Sequence, residues 1–326
     1  MGNKHRNLID QIAAPDNLWR AYHQTRKGKR YRLDHLRFRE HLAVNLSVLG
    51  DELRCGQYRQ GEFRQFVVTE PKPRLISALP FRDRVVQHAI CNVIEPVFER
   101  MFLPNSYACR TGRGTHAAAR DVQARLRRMQ QHGEVWFLKT DFSRYFASIN
   151  ISKLHGMLRA KISCRATLEL LKEIIPPDKE GLPIGSLLSQ LSANLYGHQV
   201  DAWLRHDVGE ERFVRYMDDI VILAHTPEYL HALRLRLGWF AEAALGLHFS
   251  HWQVTPASRG VNFVGYRIWA THKLLRPGSV RRARRKLRKL QGSERQQFLA
   301  AWRGHAGHAD CFNLMERLGV TPGQNY

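Results

Sequence analysis

Three aspartates follow hydrophobic segments that are predicted to be strands. Asp141 comes directly after VWFLKT, and Asp218 and Asp219 lie between the apolar segments RFVRYM and IVILA. An ionised carboxylate beside a core is costly unless it is paired or bound to a metal. If the two strands are neighbours in one sheet, Asp141 and Asp218 come to the same end of it. A divalent cation would turn their mutual repulsion into a binding site.

The chemistry expected of such a site is phosphoryl or nucleotidyl transfer. Two Mg²⁺ ions about 4 Å apart would activate a 3′ hydroxyl, stabilise the leaving pyrophosphate and clamp an in-line displacement. Because adjacent residues on a strand point to opposite faces, we expect Asp218 to share metals with Asp141 and Asp219 to be a supporting acid. The alternative is structural, since aspartate is also a favoured turn residue.

The composition of the chain narrows the class of molecule that it can bind. The chain has 326 residues, 51 Lys plus Arg against 29 Asp plus Glu, and a formal net charge of +22. With 44% hydrophobic residues it is no disordered basic tail, and a folded chain of this charge favours a polyanion, with nucleic acid as the first choice. Five cysteines without a C-x-x-C pair indicate neither a disulfide framework nor a zinc site. No signal sequence and no apolar segment near ~20 residues is present, which predicts a soluble, cytoplasmic protein.

Helices and short strands must position these acids. Residues 1–60 are predicted to be a basic helical extension. FRQFVVTE and RLISAL predict a hairpin with cations at its tip, EVWFLKTDF a buried strand, and RFVRYM with IVILA a tight hairpin. Residues 276–290 hold eight basic residues and no acid, so a boundary is placed near residue 275, with a helical basic segment over 276–326.

The motifs together resemble those of reverse transcriptases. Tyr216-Met217-Asp218-Asp219 is the tetrapeptide typical of that family, and LKTDFSRYFASI resembles its first catalytic motif. KPRLISALPFRDRVVQHAI is similar to the fingers motif, NSYACRTGRGTHAA to the template-contacting segment, and LGLHFSHWQVTPASRGVNFVGYRI to the last palm segments. The resemblance implies an α+β right-hand polymerase fold, with fingers and an antiparallel palm sheet over 61–275 and a short helical thumb over 276–326. It also implies an RNA-directed DNA polymerase.

The resemblance assigns roles to individual positions. The catalytic acids are Asp141, Asp218 and Asp219, and the ligands of two Mg²⁺ ions are Asp141, Phe142 and Asp218. Phe146 takes the position of the steric gate that excludes a ribose 2′ hydroxyl. The full set expected to contact the incoming dNTP is Lys72, Arg74, Ser143, Phe146, Ile184, Gly185, Gln190 and Tyr216. The set expected to contact template RNA and the RNA–DNA duplex is Arg110, Arg113, Gly265, Arg281, Arg284, Arg285 and Lys286.

One segment, GLPIGSLLSQ, indicates a subfamily. Most reverse transcriptases carry Gln-Gly there and end the segment in Ser-Pro, whereas this chain has Ile184-Gly185 and Ser189-Gln190. That pattern is typical of diversity-generating retroelements, and the chain is similar to their Bordetella-phage type. The resemblance implies error-prone copying of a template-repeat RNA at adenines, mutagenic retrohoming into a target gene, and a pentameric basic accessory variability protein as partner. The alternatives are a group II intron-like or retron reverse transcriptase, and a catalytically idle RNA-binding scaffold.

Five positions carry four separate hypotheses. An isoleucine at 184 offers only contact where an amide could hydrogen-bond, which would weaken discrimination against mispairs; the alternative is a core residue at a helix start. Arg74 suits a bidentate phosphate contact, or is an exposed turn charge. Arg113, with Arg110, would contact the template backbone, or lie in a solvated loop. His251 stands where many relatives have a lysine and could protonate pyrophosphate, or be a packed or surface histidine.

Overall fold

A computed structural model describes residues 4–69 and 73–318. The elements in chain order are α1 (Leu8–Ile12), α2 (Pro15–Thr25), α3 (Leu33–Glu40), α4 (Leu42–Arg54), β1 (Arg64–Val68), β2 (Arg74–Ala78), α5 (Phe81–Glu99), α6 (Thr115–Met129), β3 (Trp136–Phe142), α7 (Tyr145–Ser148), α8 (Ile151–Lys161), α9 (Arg165–Ile174), α10 (Leu187–Ala202), β4 (Phe213–Tyr216), β5 (Asp219–Ala224), α11 (Pro227–Phe240), β6 (Phe249–Pro256), β7 (Val261–Phe263), β8 (Tyr266–Ile268), β9 (Lys273–Leu275), α12 (Pro277–Leu287), α13 (Gly292–Ala306) and α14 (Phe312–Arg317).

The chain divides into two compact units. The first comprises residues 1–104, 143–203 and 239–248, and the second comprises 105–142, 204–238 and 249–326. The N-terminal helices share a unit with the β1–β2 hairpin, and the C-terminal helices share one with β3. In the part of the chain that the structure describes, no helix is long and apolar enough to cross a membrane.

The first unit is built around α5, an apolar helix whose inward stripe is fully buried. Asn17 on α2 donates a hydrogen bond to the Ala89 carbonyl at 3.0 Å, which ties the N-terminal helices to α5. The prediction of helices in this part of the chain is confirmed by the four helices α1 to α4, and these helices form part of the core of this unit. The stripe consists of Val85, Val86, Ala89, Ile90 and Ile94.

The predicted hairpin in the first unit is also confirmed. β1 pairs with β2 antiparallel, from Arg64 opposite Ala78 to Val68 opposite Arg74. All five residues of β1 are exposed, so the hairpin projects as a two-stranded ribbon. Its predicted tip includes Lys72, which lies outside the described residues.

The second unit holds the larger sheet. Its strands run in the order β4-β5-β3-β6, all neighbours antiparallel, and a three-stranded sheet has the order β7-β8-β9. The apolar sequence of β3 suits its central place, since Phe137 and Leu138 are buried. The C-terminal helices pack on the same core through Ala283, Trp302 and Ala306. The predicted α+β class with an antiparallel sheet is therefore confirmed.

Candidate active site

The predicted acids lie at one end of the four-stranded sheet. Tyr216 pairs with Asp219 across β4 and β5, so Met217 and Asp218 form the connection between the strands. We call residues 216–219 the catalytic turn. Met217 has a φ of +58°, a left-handed conformation that bulky residues rarely adopt. Tyr216 is half-buried, and burial raises the pKa of its phenol.

The register adds one detail to the sequence prediction. Asp219 opens β5 and lies directly opposite Asp141 of β3. Directly opposed residues of antiparallel strands share a face, with Cβ atoms about 5 Å apart. The prediction treated Asp218 and Asp219 as neighbours on one strand, but the short connection removes Asp218 from the strand. Asp219 is thus the cross-strand neighbour of Asp141, and Asp218 lies beside it in the turn.

Two side chains that the sequence did not single out contact these acids. Ser250 Oγ on β6 donates to Asp141 Oδ2 at 2.6 Å. Lys139 Nζ on β3 lies 3.0 Å from Asp219 Oδ1. Burial raises the pKa of Asp219 to about 6, although the charge of Lys139 opposes this rise. A carboxylate in this position is costly to ionise, and a nearby cation would stabilise its charged form.

The carboxylates at this end of the sheet fit a hard divalent cation whose coordination shell is completed by substrate. Among the described residues, no three His, Cys, Asp or Glu side chains are grouped to hold a metal by themselves. Mg²⁺ is usually bound in enzymes by one or two carboxylates together with waters and substrate phosphates, which is what this sheet end offers. Phe142 has no ligand atom in its side chain, which stacks on Phe249 with ring centroids 4.9 Å apart, so only its backbone carbonyl could serve as a ligand.

His251 lies in register with the acids. β3 pairs with β6 so that Asp141 is opposite His251, and a register shift follows between Asp141 and Phe142. Asp219, Asp141 and His251 therefore stand in one row across β5, β3 and β6. The His251 side chain is exposed on the edge strand, where it is open to solvent.

In the first unit, the loop over residues 181–185 is held by its backbone. Leu182 N donates to the Phe146 carbonyl at 2.7 Å, and Ser77 N on β2 donates to the Ile184 carbonyl at 2.8 Å. These bonds bring the predicted dNTP residues Phe146, Ile184 and Gly185 to the strand that begins at Arg74. The side chain of Ile184 is half-buried and precedes α10.

Two glycines make these close approaches possible. A Cβ on Gly181 would lie 2.5 Å from Ala147 Cα. A Cβ on Gly185, which has a φ of +117°, would lie 2.9 Å from the Ser77 carbonyl oxygen. Any larger residue at either position must displace backbone, so the shape of the 181–185 loop depends on both glycines.

The start of α10 is fixed by a buried residue that sequence reasoning missed. Gln87 Oε1 on α5 accepts a hydrogen bond from Ser186 Oγ at 2.8 Å, and Ser186 Oγ in turn caps the helix by accepting from Ser189 N at 3.2 Å. The available signal was a glutamine on the apolar stripe of α5, which needs a buried partner. Gln190 lies half-buried in the first turn of this helix.

The remaining predicted dNTP residues of the first unit differ in exposure. Arg74 is exposed at the start of β2. Ser143 is half-buried, and its N donates to the His248 carbonyl at 2.8 Å. The exposed guanidinium of Arg74 is therefore available to an anion, whereas the backbone of Ser143 already has a structural role.

The two arginines predicted to contact the template, Arg110 and Arg113, differ in burial. Arg110 is only 8% exposed, and its Nη1 donates to the Ser106 carbonyl at 2.8 Å. One arm of the Arg110 guanidinium therefore satisfies a carbonyl of its own segment, and its template contact stays a prediction. Arg113 is half-buried, and its guanidinium lies 5.3 Å from the centroid of the Tyr107 ring. Arg113 is thus the better placed of the two.

Gly265 lies in the two-residue turn between β7 and β8. Gly265 has a φ of +93° and Val264 a φ of +42°, which is rare for a β-branched residue. The Gly265 carbonyl accepts from Arg276 N at 3.1 Å. Strain of this kind persists where the surroundings over-determine the backbone, often at functional sites.

The predicted thumb cations lie on the outer side of α12. Ala283 faces the core, and Lys286 Nζ lies 5.0 Å from the centroid of the Phe298 ring. An exposed row of like charges on one helix is the kind of surface that gains from phosphate neutralisation. The exposed members are Arg281, Arg284, Arg285 and Lys286.

Comparison with protein families agrees with this geometry. The family model described as reverse transcriptase (RNA-dependent DNA polymerase) matches residues 69–268. The chain therefore belongs to the reverse transcriptase family, which are RNA-directed DNA polymerases with a right-hand polymerase fold.

Its curated relatives include bacterial and intron-encoded proteins. Protein YkfC of Escherichia coli K12 is 26% identical over 273 residues, which cover 70% of this chain and 72% of that protein. The group II intron-encoded protein LtrA of Lactococcus lactis is 24% identical over 165 residues, or 47% of this chain and 27% of LtrA. Among solved structures, telomerase from Candida albicans matches with a TM-score of 0.49 and 11% identity, over 68% of this chain and 47% of that one. Most of the length of LtrA has no counterpart in the match.

Proposed function

We propose that this chain is the reverse transcriptase of a diversity-generating retroelement, which copies a template-repeat RNA into cDNA with errors at adenines for mutagenic retrohoming. The observation that carries the polymerase part is the register that sets Asp219 opposite Asp141 with Asp218 in the adjoining turn. The subfamily part rests on Ile184-Gly185 in the 181–185 loop.

The proposed mechanism is two-metal nucleotidyl transfer from dNTPs. Two bound Mg²⁺ ions would activate the primer 3′ hydroxyl and neutralise charge on the triphosphate. Asp141, Asp218 and Asp219 would hold them, while Ser250 keeps the Asp141 carboxylate in one orientation. Arg74 would bind phosphate oxygens, where a guanidinium can make two parallel hydrogen bonds.

His251 is proposed as the general acid for the leaving pyrophosphate. Its place in the row with Asp141 and Asp219 supports this role, and its exposure leaves it accessible to substrate. Replacing His251 by alanine should lower kcat with little change in the KM for dNTP, and His251→Lys should restore much of the rate. Equal rates in the wild type and His251→Ala would remove the proposal.

The structural setting of Ile184 supports the subfamily assignment. The loop is held by main-chain bonds from Ser77 and to Phe146, so the side chain at 184 can vary without moving the loop. An isoleucine there offers contact but no hydrogen bond, which would loosen the selection of the incoming nucleotide. The exposed cations of α12 suit template RNA and duplex, and RNA could also join this basic chain to a basic pentameric accessory protein.

A group II intron-like reverse transcriptase is the second candidate function. Specific support comes from the intron-encoded relative LtrA. The two candidates share the polymerase chemistry and differ in the fidelity expected at template adenines.

Primer extension followed by cDNA sequencing tests the proposal. The purified chain is assayed with and without accessory protein and cognate RNA, beside Asp218→Ala. Mg²⁺-dependent cDNA with substitutions concentrated at template adenines, absent in the variant, is the expected result. Uniformly faithful cDNA would favour the intron-like candidate. RNA binding without cDNA in any mixture would indicate an idle scaffold.

A further inference from the structure

Arg215 is a charged residue placed entirely inside the second unit. It lies in β4, directly before the catalytic turn, and its exposure is 0%. Burying a guanidinium is unfavourable unless hydrogen bonds compensate it, so its position calls for partners. One such partner is the Met217 carbonyl, to which Arg215 Nη1 donates at 2.9 Å. Another is Ser106 Oγ, to which Nη2 donates at 3.0 Å.

The first of these bonds acts on the catalytic turn. Met217 is held in the left-handed region, and its carbonyl belongs to the peptide that leads into Asp218. A charged donor on that carbonyl fixes the plane of the peptide and therefore the direction in which Asp218 leaves the turn. A neutral or shorter side chain at 215 would leave a strained turn with one restraint fewer.

The second bond leads to the segment that precedes α6. Ser106 lies in residues 105–110, which run beside β4: Arg215 N donates to the Asn105 carbonyl at 2.8 Å, and Tyr107 N donates to the Arg215 carbonyl at 3.0 Å. Within the same segment, Arg110 Nη1 donates a hydrogen bond to the Ser106 carbonyl. Backbone and side chain of Arg215 thus both connect residues 105–110 to the turn.

We propose that Arg215 is a positioning residue that orients the catalytic turn and links it to the 105–110 segment through Ser106. The inference rests on the proposed polymerase function, since it concerns how Asp218 is presented to metal and substrate. It assigns Arg110 and Ser106 to the support of the turn.

The test compares Arg215→Lys, which keeps the charge but loses the two-armed geometry, with Ser106→Ala, which removes one bond. Thr25→Ala is the matched control, because Thr25 is buried in α2 and its hydroxyl bonds the Ala21 carbonyl. Three quantities are measured: kcat and the KM for dNTP, the ratio of rates with Mn²⁺ and Mg²⁺, and the affinity for Mn²⁺ alone by titration. Thermal melting reports the folded fraction of each variant.

We expect both variants to lose about tenfold or more in kcat, as is usual when the support of a metal ligand is removed, with the KM for dNTP unchanged. The Mn²⁺ to Mg²⁺ ratio should rise, because Mg²⁺ demands the stricter geometry. Mn²⁺ affinity should fall, while Thr25→Ala matches the wild type. A rate loss that only follows the folded fraction, with ratio and affinity unchanged, would make Arg215 a core filler and overturn the proposal.

The two proposals fail separately. If the wild type makes no cDNA, the polymerase proposal fails and the Mn²⁺ affinities decide the present one: weaker binding in both variants supports it, and equal binding overturns it. If Arg215→Lys does not fold, Ser106→Ala carries the same comparison, since it removes only a hydroxyl.

Discussion

The catalytic turn and the 181–185 loop both hold an unusual backbone conformation, but different residues and bonds stabilise it in each. Each is a short segment with positive φ angles beside predicted substrate contacts. In the turn, Met217 holds a conformation unfavourable to its type, and the chemistry lies in charged side chains. In the loop, glycines occupy the crowded positions and main-chain hydrogen bonds hold the shape. The turn should therefore tolerate almost no change of side chain, whereas the loop should tolerate change at 184 but not at its glycines.

The largest expected effect is at Asp219. Because the register makes Asp219 the direct neighbour of Asp141, Asp219→Asn should lower kcat by at least about 100-fold, by loss of a carboxylate that is proposed to hold metal, while RNA binding is retained. Steady-state primer extension and a filter-binding assay measure the two properties. Glu169→Gln, an exposed substitution on α9, serves as the control. Activity within a few-fold of wild type would make Asp219 a structural turn residue.

The glycines of the loop give the next effect. Gly181→Ala places a Cβ against the backbone of Ala147 at a φ of +67° and should cost about 1–3 kcal/mol in the free energy of unfolding. Gly156→Ala, in the middle of α8 with nothing within 4 Å of the added Cβ, should be neutral or stabilising. Urea denaturation of both variants measures the difference. Equal stabilities would show that the 181–185 loop yields to a side chain.

This contrast also shows what sequence could predict. The hairpins, the buried strand β3 and the three aspartates follow from alternating or continuous apolar segments that end in acids. The pairing of Asp219 with Asp141 does not follow, because apolar patterning does not reveal which residues the turn removes from the strands. The loop residues Ile184 and Gly185 were found only through a family motif.

The burial of charged residues was the other feature that could not be predicted from the sequence. Arg110 and Arg215 are both arginines in a very basic chain, and composition favours a solvent-facing phosphate contact for each. Arg215 is held by Ser106, which is far away in sequence, whereas Arg110 is held by the backbone of its own segment. Ser250, which bonds Asp141, carries no local signal, since a serine on an edge strand is ordinary.

Arg74 offers a prediction of intermediate size. Arg74→Ala should raise the KM for dNTP about tenfold, the equivalent of one charge-assisted contact, and weaken RNA binding less. Arg64→Ala is the matched control, because Arg64 is exposed at the opposite end of the same hairpin. Steady-state kinetics at varied dNTP, with RNA affinity measured separately, distinguishes the two. Equal losses in KM and RNA affinity would indicate a general defect of the hairpin.

The smallest effect on rate is expected at Ile184. This position gives the sharpest test of the difference between the catalytic turn and the 181–185 loop. Ile184→Gln should leave the melting temperature unchanged, because the loop is held through the backbone of residue 184 and not through its side chain. The amide adds a hydrogen-bonding group at the proposed nucleotide contact and should lower misincorporation at template adenines several-fold, since discrimination by a positioned polar group exceeds that of apolar contact. Ile184→Leu, which keeps an apolar side chain of the same volume, should retain the wild-type error spectrum. Sequencing of cDNA from the three proteins measures the effect. An unchanged adenine error rate in Ile184→Gln would mean that fidelity is set elsewhere and that position 184 serves only the packing of the loop.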